Sequence, residues 1–178
     1  MFLDNTKLKE IGEEVNISLM TVSKIRRKIF DALYSSDRFN KYLAKHFYDP
    51  FDTTTIFIPN IDYSKLYYYQ YNEESILAFI EYKNGKYLSS SYSRKDFNTL
   101  MTSINYPKLI FVPFIEIERQ SAITHIEGLI AFLKTFRGIK KELLSQYSNF
   151  YDFKTNYDNE SLVDRIIHRI STHKKKNG

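Results

Sequence analysis

Two amphipathic helices are predicted from the hydrophobic pattern between His125 and Tyr157. Apolar residues recur at steps of three or four, which puts them on one face of each helix. They are Ile126, Ile130, Leu133 and Phe136 in the first helix, and Ile139, Leu143, Tyr147 and Phe150 in the second. Gly138 interrupts the pattern and marks the break between the two helices. We expect both helices to pack on the core.

A helix, a tight turn and a second helix are predicted between residues 5 and 34. Asn16 tolerates the left-handed conformation that a tight turn needs, and Ser18 can cap the second helix. Gly12 is small where the helices must cross closely. The residues expected to face inward are Leu8, Ile11, Val15, Ile17, Val22, Ile25, Ile29 and Leu33. The pattern is typical of a helix-turn-helix.

The outer face of the second helix is basic, which favours duplex DNA as a partner. In a helix-turn-helix this helix enters the major groove by its N-terminal half. The candidates for base edges are Met20, Ser23, Lys24 and Arg27, and those for phosphates are Thr21, Arg26 and Lys28. Ser18, at the start of the helix, completes the DNA-binding set. A helical hairpin with a solvated basic face is the alternative, because the chain before Lys7 is too short for a supporting helix.

The middle of the chain predicts a mixed sheet. Strands are expected at Thr53–Pro59, Leu66–Tyr71, Ser75–Tyr82, Lys86–Ser91 and Leu109–Phe114, with a helix over Arg94–Ser103. Asn84-Gly85 is a hairpin turn. The run LIFVPF is continuously apolar, so we expect a central parallel strand in which residues 109–112 are nearly inaccessible. Antiparallel strands, a crossover helix, a parallel strand and a covering helix are what a ribonuclease-H-like core requires.

Composition narrows the functional classes without selecting one. The 178 residues suffice for one domain, or for a small domain with an appendage. The absence of cysteine excludes disulfides and thiolate zinc sites. A net charge of +5 fits a polyanionic partner. We find no signal peptide and no apolar run of membrane-spanning length, so we expect a cytoplasmic protein without a membrane partner.

Several segments, in the same order, resemble small bacterial insertion-sequence transposases that have an N-terminal helix-turn-helix and a ribonuclease-H-like domain. HIEG, FRGIKKE and a helix ending in F-x-x-N-Y resemble the end of that family. SILAFIEYKNGKYL is similar to its second and third strands, and SRKDFNTLMTSINYPKLIFV to its next helix, loop and buried strand. The resemblance implies a helix-turn-helix and connecting helix over 1–50, a reduced ribonuclease-H-like domain over 51–157, and a C-terminal helix with a basic tail over 158–178.

The resemblance also implies a two-metal site held by three side chains. The family has an Asp at the end of the first strand, an Asp after the crossover helix, and a Glu or Asn on the long helix. The matching positions here are Pro59-Asn60, with Asp62 as the nearest acid, then Pro113 or Phe114, and finally Glu127. Only Glu127 keeps an acid. We therefore expect a shortened, degenerate member of the family that binds DNA, does not catalyse and needs no cofactor.

Other functions stay open at this point. An active metal-dependent transposase or nuclease would hold Mg²⁺ or Mn²⁺ with Asp62, Glu116 and Glu127. Glu81-Tyr82-Lys83, preceded by Asp62, also has the sparse pattern of a restriction-type nuclease. A protein-interaction domain is the third class, and a homodimer is compatible with all of them. No Ser–His–Asp arrangement is visible in the sequence.

Overall fold

The computed structural model describes residues 8–34, 38–47, 64–103, 109–136, 138–157, 163–164 and 166–168. Within these ranges the helices are α1 (Leu8–Glu14), α2 (Leu19–Tyr34), α3 (Arg38–Phe47), α4 (Arg94–Ser103), α5 (Gln120–Lys134) and α6 (Leu144–Asn156). The strands are β1 (Ser64–Gln70), β2 (Ser75–Lys83), β3 (Lys86–Ser93) and β4 (Leu109–Pro113). Single 3-10 turns follow β4 at Phe114–Glu116 and precede α6 at Lys141–Leu143. The strand predicted over Thr53–Pro59 lies outside the described residues.

The strands form one mixed sheet in the order β3-β2-β1-β4. β1 and β3 are both antiparallel to β2, whereas β4 runs parallel to β1, with Ser64 opposite Leu109. Gly85, in the hairpin between β2 and β3, has a φ of 69°, which glycine adopts without steric cost. Helix α4 connects β3 to the parallel strand β4. The mixed α/β class and the hairpin predicted from the sequence are confirmed.

The prediction that Leu109–Phe114 forms a central strand is wrong. β4 is at one edge of the described sheet, and its residues differ widely in exposure. Leu109 is buried, but 40% of Ile110 is exposed. Residues Ser75–Ile80 of β2 are all buried instead. An apolar run indicates that the two faces of a strand are partly covered by helices, but it does not specify neighbours on both sides within the sheet.

The core lies on both faces of the sheet. Alternate residues of a strand point to opposite faces, so Leu77 and Phe79 of β2 pack on the side of α5 and α6. Ala78 and Ile80 pack on the other side, with Phe39 of α3 and residues of α4. The same alternation divides β1 and β3 between the two clusters. The sheet is therefore the middle layer of three.

The outer edge of β3 is lined by polar side chains of α6. They are Ser145, Asn149, Asp152 and Asn156, all buried, and they follow one another at steps of four, three and four. Four residues of an α-helix advance about 6 Å, and two residues of a strand advance about 6.7 Å. One face of α6 can therefore follow alternate residues of β3 along the edge.

Hydrogen bonds from this face of α6 occupy the backbone of β3. The Asn156 amide accepts the Tyr87 N–H at 3.1 Å and donates to the Tyr87 carbonyl at 2.6 Å. The Ser89 N–H donates to the Asp152 carboxylate at 2.5 Å. The Ser91 N–H donates to the Ser145 hydroxyl oxygen at 3.0 Å, and that hydroxyl donates to the Ser91 carbonyl at 3.2 Å. Side chains of α6 thus supply the partners that a fifth strand would provide.

Replacing Asn156 by alanine tests the importance of this edge for stability. The variant leaves a buried N–H and a buried carbonyl of Tyr87 without partners, so we expect a loss of about 1–3 kcal/mol in the free energy of unfolding. Urea denaturation measures the loss. The adjacent Thr155→Ala is the control, because Thr155 is exposed and should change stability by less than about 0.5 kcal/mol. Equal effects of the two substitutions would contradict a structural role for the Asn156 hydrogen bonds.

Candidate functional site

Helices α1 and α2 form the tight helical pair that the sequence predicts. Asn16 has a φ of 52°, in the left-handed region. The Thr21 N–H donates to the Ser18 hydroxyl oxygen at 3.2 Å, which is the expected cap of α2. A Cβ on Gly12 would lie 2.9 Å from the Ile17 carbonyl oxygen, so only glycine fits there without a shift of the backbone. The three local signals are confirmed.

The predicted inner face of this helical pair is only partly correct. Ile11 and Val22 are buried, whereas Val15, Ile17 and Ile25 are between 36% and 44% exposed. The side chain of Leu33 lies outside the described residues. In a helix-turn-helix a supporting helix covers this side, and the described part of the chain contains no helix there. The predicted inner face assumed such a helix.

The second half of α2 is attached to α6. The ring of Phe30 lies 4.7 Å from that of Tyr147 and 4.8 Å from that of Phe150, centroid to centroid. The Gln146 amide donates to the Asp31 carboxylate at 3.4 Å. Phe30 was missed in the sequence because the stripe from Val22 was continued through Ile25 and Ile29. The adjacent apolar pair Ile29-Phe30 was the signal that the buried face turns there.

The first half of α2 carries the predicted DNA-binding residues on a largely exposed surface. The exposed residues are Ser18, Met20, Thr21, Lys24, Arg27 and Lys28; Ser23 and Arg26 are half-buried. The Arg26 guanidinium lies 6.0 Å from the centroid of the Phe136 ring, so it faces the loop after α5. Helix α1 is acidic on its exposed surface, with Glu10, Glu13 and Glu14. The basic charge is therefore on α2.

The three acids of the predicted metal site are not brought together by the described residues. Asp62 lies outside them, Glu116 is exposed in the 3-10 turn after β4, and Glu127 is exposed on α5. No group of three or more His, Cys, Asp or Glu side chains suited to a metal ion occurs in the described ranges. The strand parallel to β4 is β1, so the residue beside Pro113 is Tyr68. This register corrects the prediction that Pro59-Asn60 is the first-strand position.

Glu81, the acid of the nuclease-like tripeptide, is held by other groups. Its Oε1 accepts hydrogen bonds from Arg119 Nη2 at 3.0 Å and from the Gly85 N–H at 2.6 Å. Its Oε2 forms an ion pair with Arg119 Nη1. Lys83 is exposed at the end of β2. Both carboxylate oxygens of Glu81 thus fix the β2–β3 hairpin to the segment before α5.

Ser89, His125 and Asp152 come together in the interior, although no such arrangement was visible in the sequence. His125 Nε2 lies 3.1 Å from Ser89 Oγ and 3.3 Å from Asp152 Oδ1, and the Ser89 hydroxyl donates to the same Oδ1 at 2.7 Å. A catalytic triad uses the two ring nitrogens of the histidine for different partners, whereas here one nitrogen faces both. All three residues are buried, so the arrangement joins β3, α5 and α6.

The ionisation of Asp152 reflects this environment. Burial raises the pKa of the Asp152 carboxyl, against the lowering effect of the hydrogen bonds from His125 and Ser89. The ring of His125 also stacks on that of Tyr87, at 4.6 Å between centroids. The sequence signal for the cluster was the polar spacing in α6, which interrupts the apolar stripe expected of Tyr147 and Phe150.

Gly128, in the HIEG motif, has a packing role. A Cβ on Gly128 would lie 2.0 Å from the Tyr151 hydroxyl oxygen, so α5 and α6 approach closely at this point. Ile126 of the same motif is fully buried, and only Glu127 faces solvent. The motif therefore fixes α5 to β3 and α6, and three of its four residues serve packing.

No protein-family model matches the sequence, and comparison with curated proteins and with solved structures finds no match either. Among the helices of the described ranges, none has both the length and the apolar composition required to cross a membrane.

Gly128→Ala should destabilise the protein by about 1–3 kcal/mol, because the new methyl group overlaps the Tyr151 hydroxyl. Tyr151→Phe removes that hydroxyl, so Gly128→Ala should cost less when it is introduced into Tyr151→Phe. Thermal or urea unfolding of the parent, the two single variants and the double variant gives the coupling free energy. Additive effects of the two substitutions would contradict the close approach of α5 and α6 at this point.

Proposed function

We propose that the protein binds duplex DNA through the N-terminal half of α2. The observation that carries the proposal is the geometry of α1 and α2: a close crossing at Gly12, a left-handed residue at Asn16, and a capped second helix with an exposed basic face. A helix with this surface fits the width of the major groove. The attachment of α2 at Phe30 leaves its first turns clear of α6.

The exposed side chains of α2 have the chemistry of a groove-binding helix. Lys24 and Arg27, three residues apart on one face, can reach guanine acceptors or phosphates. Met20 is 67% exposed, and an apolar side chain at this position can contact a thymine methyl group. The basic charge of Lys28 lies one turn after Lys24 and extends the phosphate-binding surface. The acidic surface of α1 favours contact through α2.

We also propose that residues 64–156 are a reduced ribonuclease-H-like domain of transposase origin. The sheet order β3-β2-β1-β4, with β4 parallel to β1 after a crossover helix, supports this proposal. The position of β4 at the edge counts against a complete core and is compatible with its first four strands. The proposal thus joins a DNA-binding unit to a catalytic fold that has lost its outer part.

We propose in addition that this domain does not catalyse. Pro113 and Phe114 occupy the position where the family has its second Asp, and the Phe114 ring packs on Tyr69 at 5.4 Å between centroids. An aromatic surface cannot replace the oxygen ligands and water that a divalent cation requires. Glu127 alone would leave the cation with one protein carboxylate.

Joint replacement of Lys24 and Arg27 by alanine should weaken duplex binding. Removal of each side chain from the DNA should cost roughly 1–3 kcal/mol, so the dissociation constant should rise by at least about tenfold. Gel-shift titrations at two salt concentrations measure the effect and the salt dependence. The matched control is the joint replacement of Arg94 and Lys95 by alanine, which removes the same charge from exposed positions at the start of α4.

The control separates a specific interface from general attraction of charge. The proposal predicts a large loss of affinity for the Lys24/Arg27 variant and a small one for the Arg94/Lys95 variant at the same ionic strength. Equal losses would indicate unspecific attraction to a basic protein and would contradict the proposed interface. Absence of duplex binding by the parent protein would also remove it.

Millimolar Mg²⁺ or Mn²⁺ should neither raise the melting temperature nor support cleavage of labelled DNA. A cation that binds only the folded state stabilises it by RT ln(1 + [L]/Kd), and one carboxylate beside apolar side chains gives it little affinity. Thermal melts of the parent and of Glu127→Gln, with and without Mn²⁺, measure this. A stabilisation that Glu127→Gln abolishes, or DNA cleavage that depends on Glu127, would support the enzyme with Asp62, Glu116 and Glu127 as ligands.

A further inference from the structure

The two edges of the sheet are treated differently. The backbone of β3 is paired by side chains of α6, whereas β4 has no neighbouring strand on its outer side within the described part of the chain. An edge strand with unpaired N–H and carbonyl groups is a template for another strand. Natural proteins usually block such an edge with charged side chains or proline. In β4 only Pro113, its last residue, is of this kind.

Exposed isoleucines border the same edge. Ile110 is 40% exposed within β4, and Ile115 is 90% exposed in the turn that follows. Val112 and Phe114, between them, are half-buried. Single exposed apolar residues are common, but here two lie beside unpaired backbone. Backbone hydrogen bonds and apolar contact are the two components of recognition by strand addition.

We propose that two copies of this chain associate by antiparallel pairing of β4 with β4. A two-fold axis at Phe111 places Ile110 opposite Val112 of the partner subunit, and both side chains lie on the face of the sheet toward α5. The side chain of Ile110 then loses most of its contact with water. Pro113 has no N–H, which limits the pairing to the first four residues of the strand.

Pairing of this kind ends at two copies. Each chain offers one open edge, because α6 occupies the other, so the contact is isologous and closes on itself. The acids after β4 do not oppose it. Glu116 is five residues from the axis, so the two copies of Glu116 lie roughly 33 Å apart along the paired strands. The second copy is favoured over an unrelated strand because the same edge is complementary to itself.

A second apolar surface exists at α1 and α2. Val15, Ile17 and Ile25 are exposed on the side that a supporting helix covers in a helix-turn-helix. This surface lacks unpaired strand backbone, and nothing in the structure identifies what covers it. It therefore provides the control for the experiment. Ile25 is 39% exposed, which matches the 40% of Ile110.

The molar mass in solution, measured by light scattering over a concentration series, tests the proposal. The parent should approach twice the 21.2 kDa of one chain. Ile110→Lys places a charge at the paired edge and should raise the dissociation constant of the dimer by more than about tenfold. Ile25→Lys should leave the dimer unchanged. The dimer does not depend on DNA, so its failure would leave the proposed DNA binding untouched.

Two further measurements guard against an unfolded variant. Ile115→Lys changes a side chain that is almost fully exposed, so it should fold and still weaken the dimer. Amide hydrogen exchange across residues 109–113 of the parent should slow as concentration rises. A parent of 21.2 kDa at every concentration overturns the proposal. So does a folded Ile110→Lys variant with unchanged association, or a dimer abolished only in Ile25→Lys.

Discussion

The pairing of β3 with side chains of α6 is the interaction on which the rest of the structure depends. Through it one helix completes the sheet, holds α5 by way of His125 and Gly128, and supports α2 by way of Phe30. Buried polar groups are costly without partners. In the described ranges no buried side-chain nitrogen or oxygen lacks a hydrogen bond. The polar face of α6 is therefore as specific as a strand would be, and it fixes one register.

The sequence predicted best what local chemistry decides. The cap at Ser18, the turn at Asn16, the hairpin at Gly85 and the parallel strand after α4 depend on a few neighbouring residues, and they are where the pattern put them. Strand neighbours were less predictable, because the apolar run of β4 records coverage by helices and carries no information on sheet order. The polar edge of α6 was missed since periodicity methods look for apolar stripes, and here the buried stripe includes Asn and Asp.

The candidate site divides in the same way. The basic surface of α2 could be predicted because exposed charge follows directly from helical spacing. The acids could not be assigned from spacing, since their proximity depends on the three-dimensional arrangement of strand ends. Residues of the transposase-like motifs, among them His125, Gly128 and Asn156, make packing contacts. Their presence supports a similar arrangement of helices and strands, and it says little about chemistry.

Completion of the sheet by a later helix also affects synthesis of the chain. β3 ends at Ser93, and the last residue that pairs with it is Asn156, which is 63 residues later. A ribosome that adds about 5–20 residues per second needs roughly 3–13 seconds for this interval. During that time the edge of β3 is without α6. The nascent chain thus passes through a stage with both edges of its sheet open, at which a chaperone or slow release from the ribosome would protect it from association with other chains.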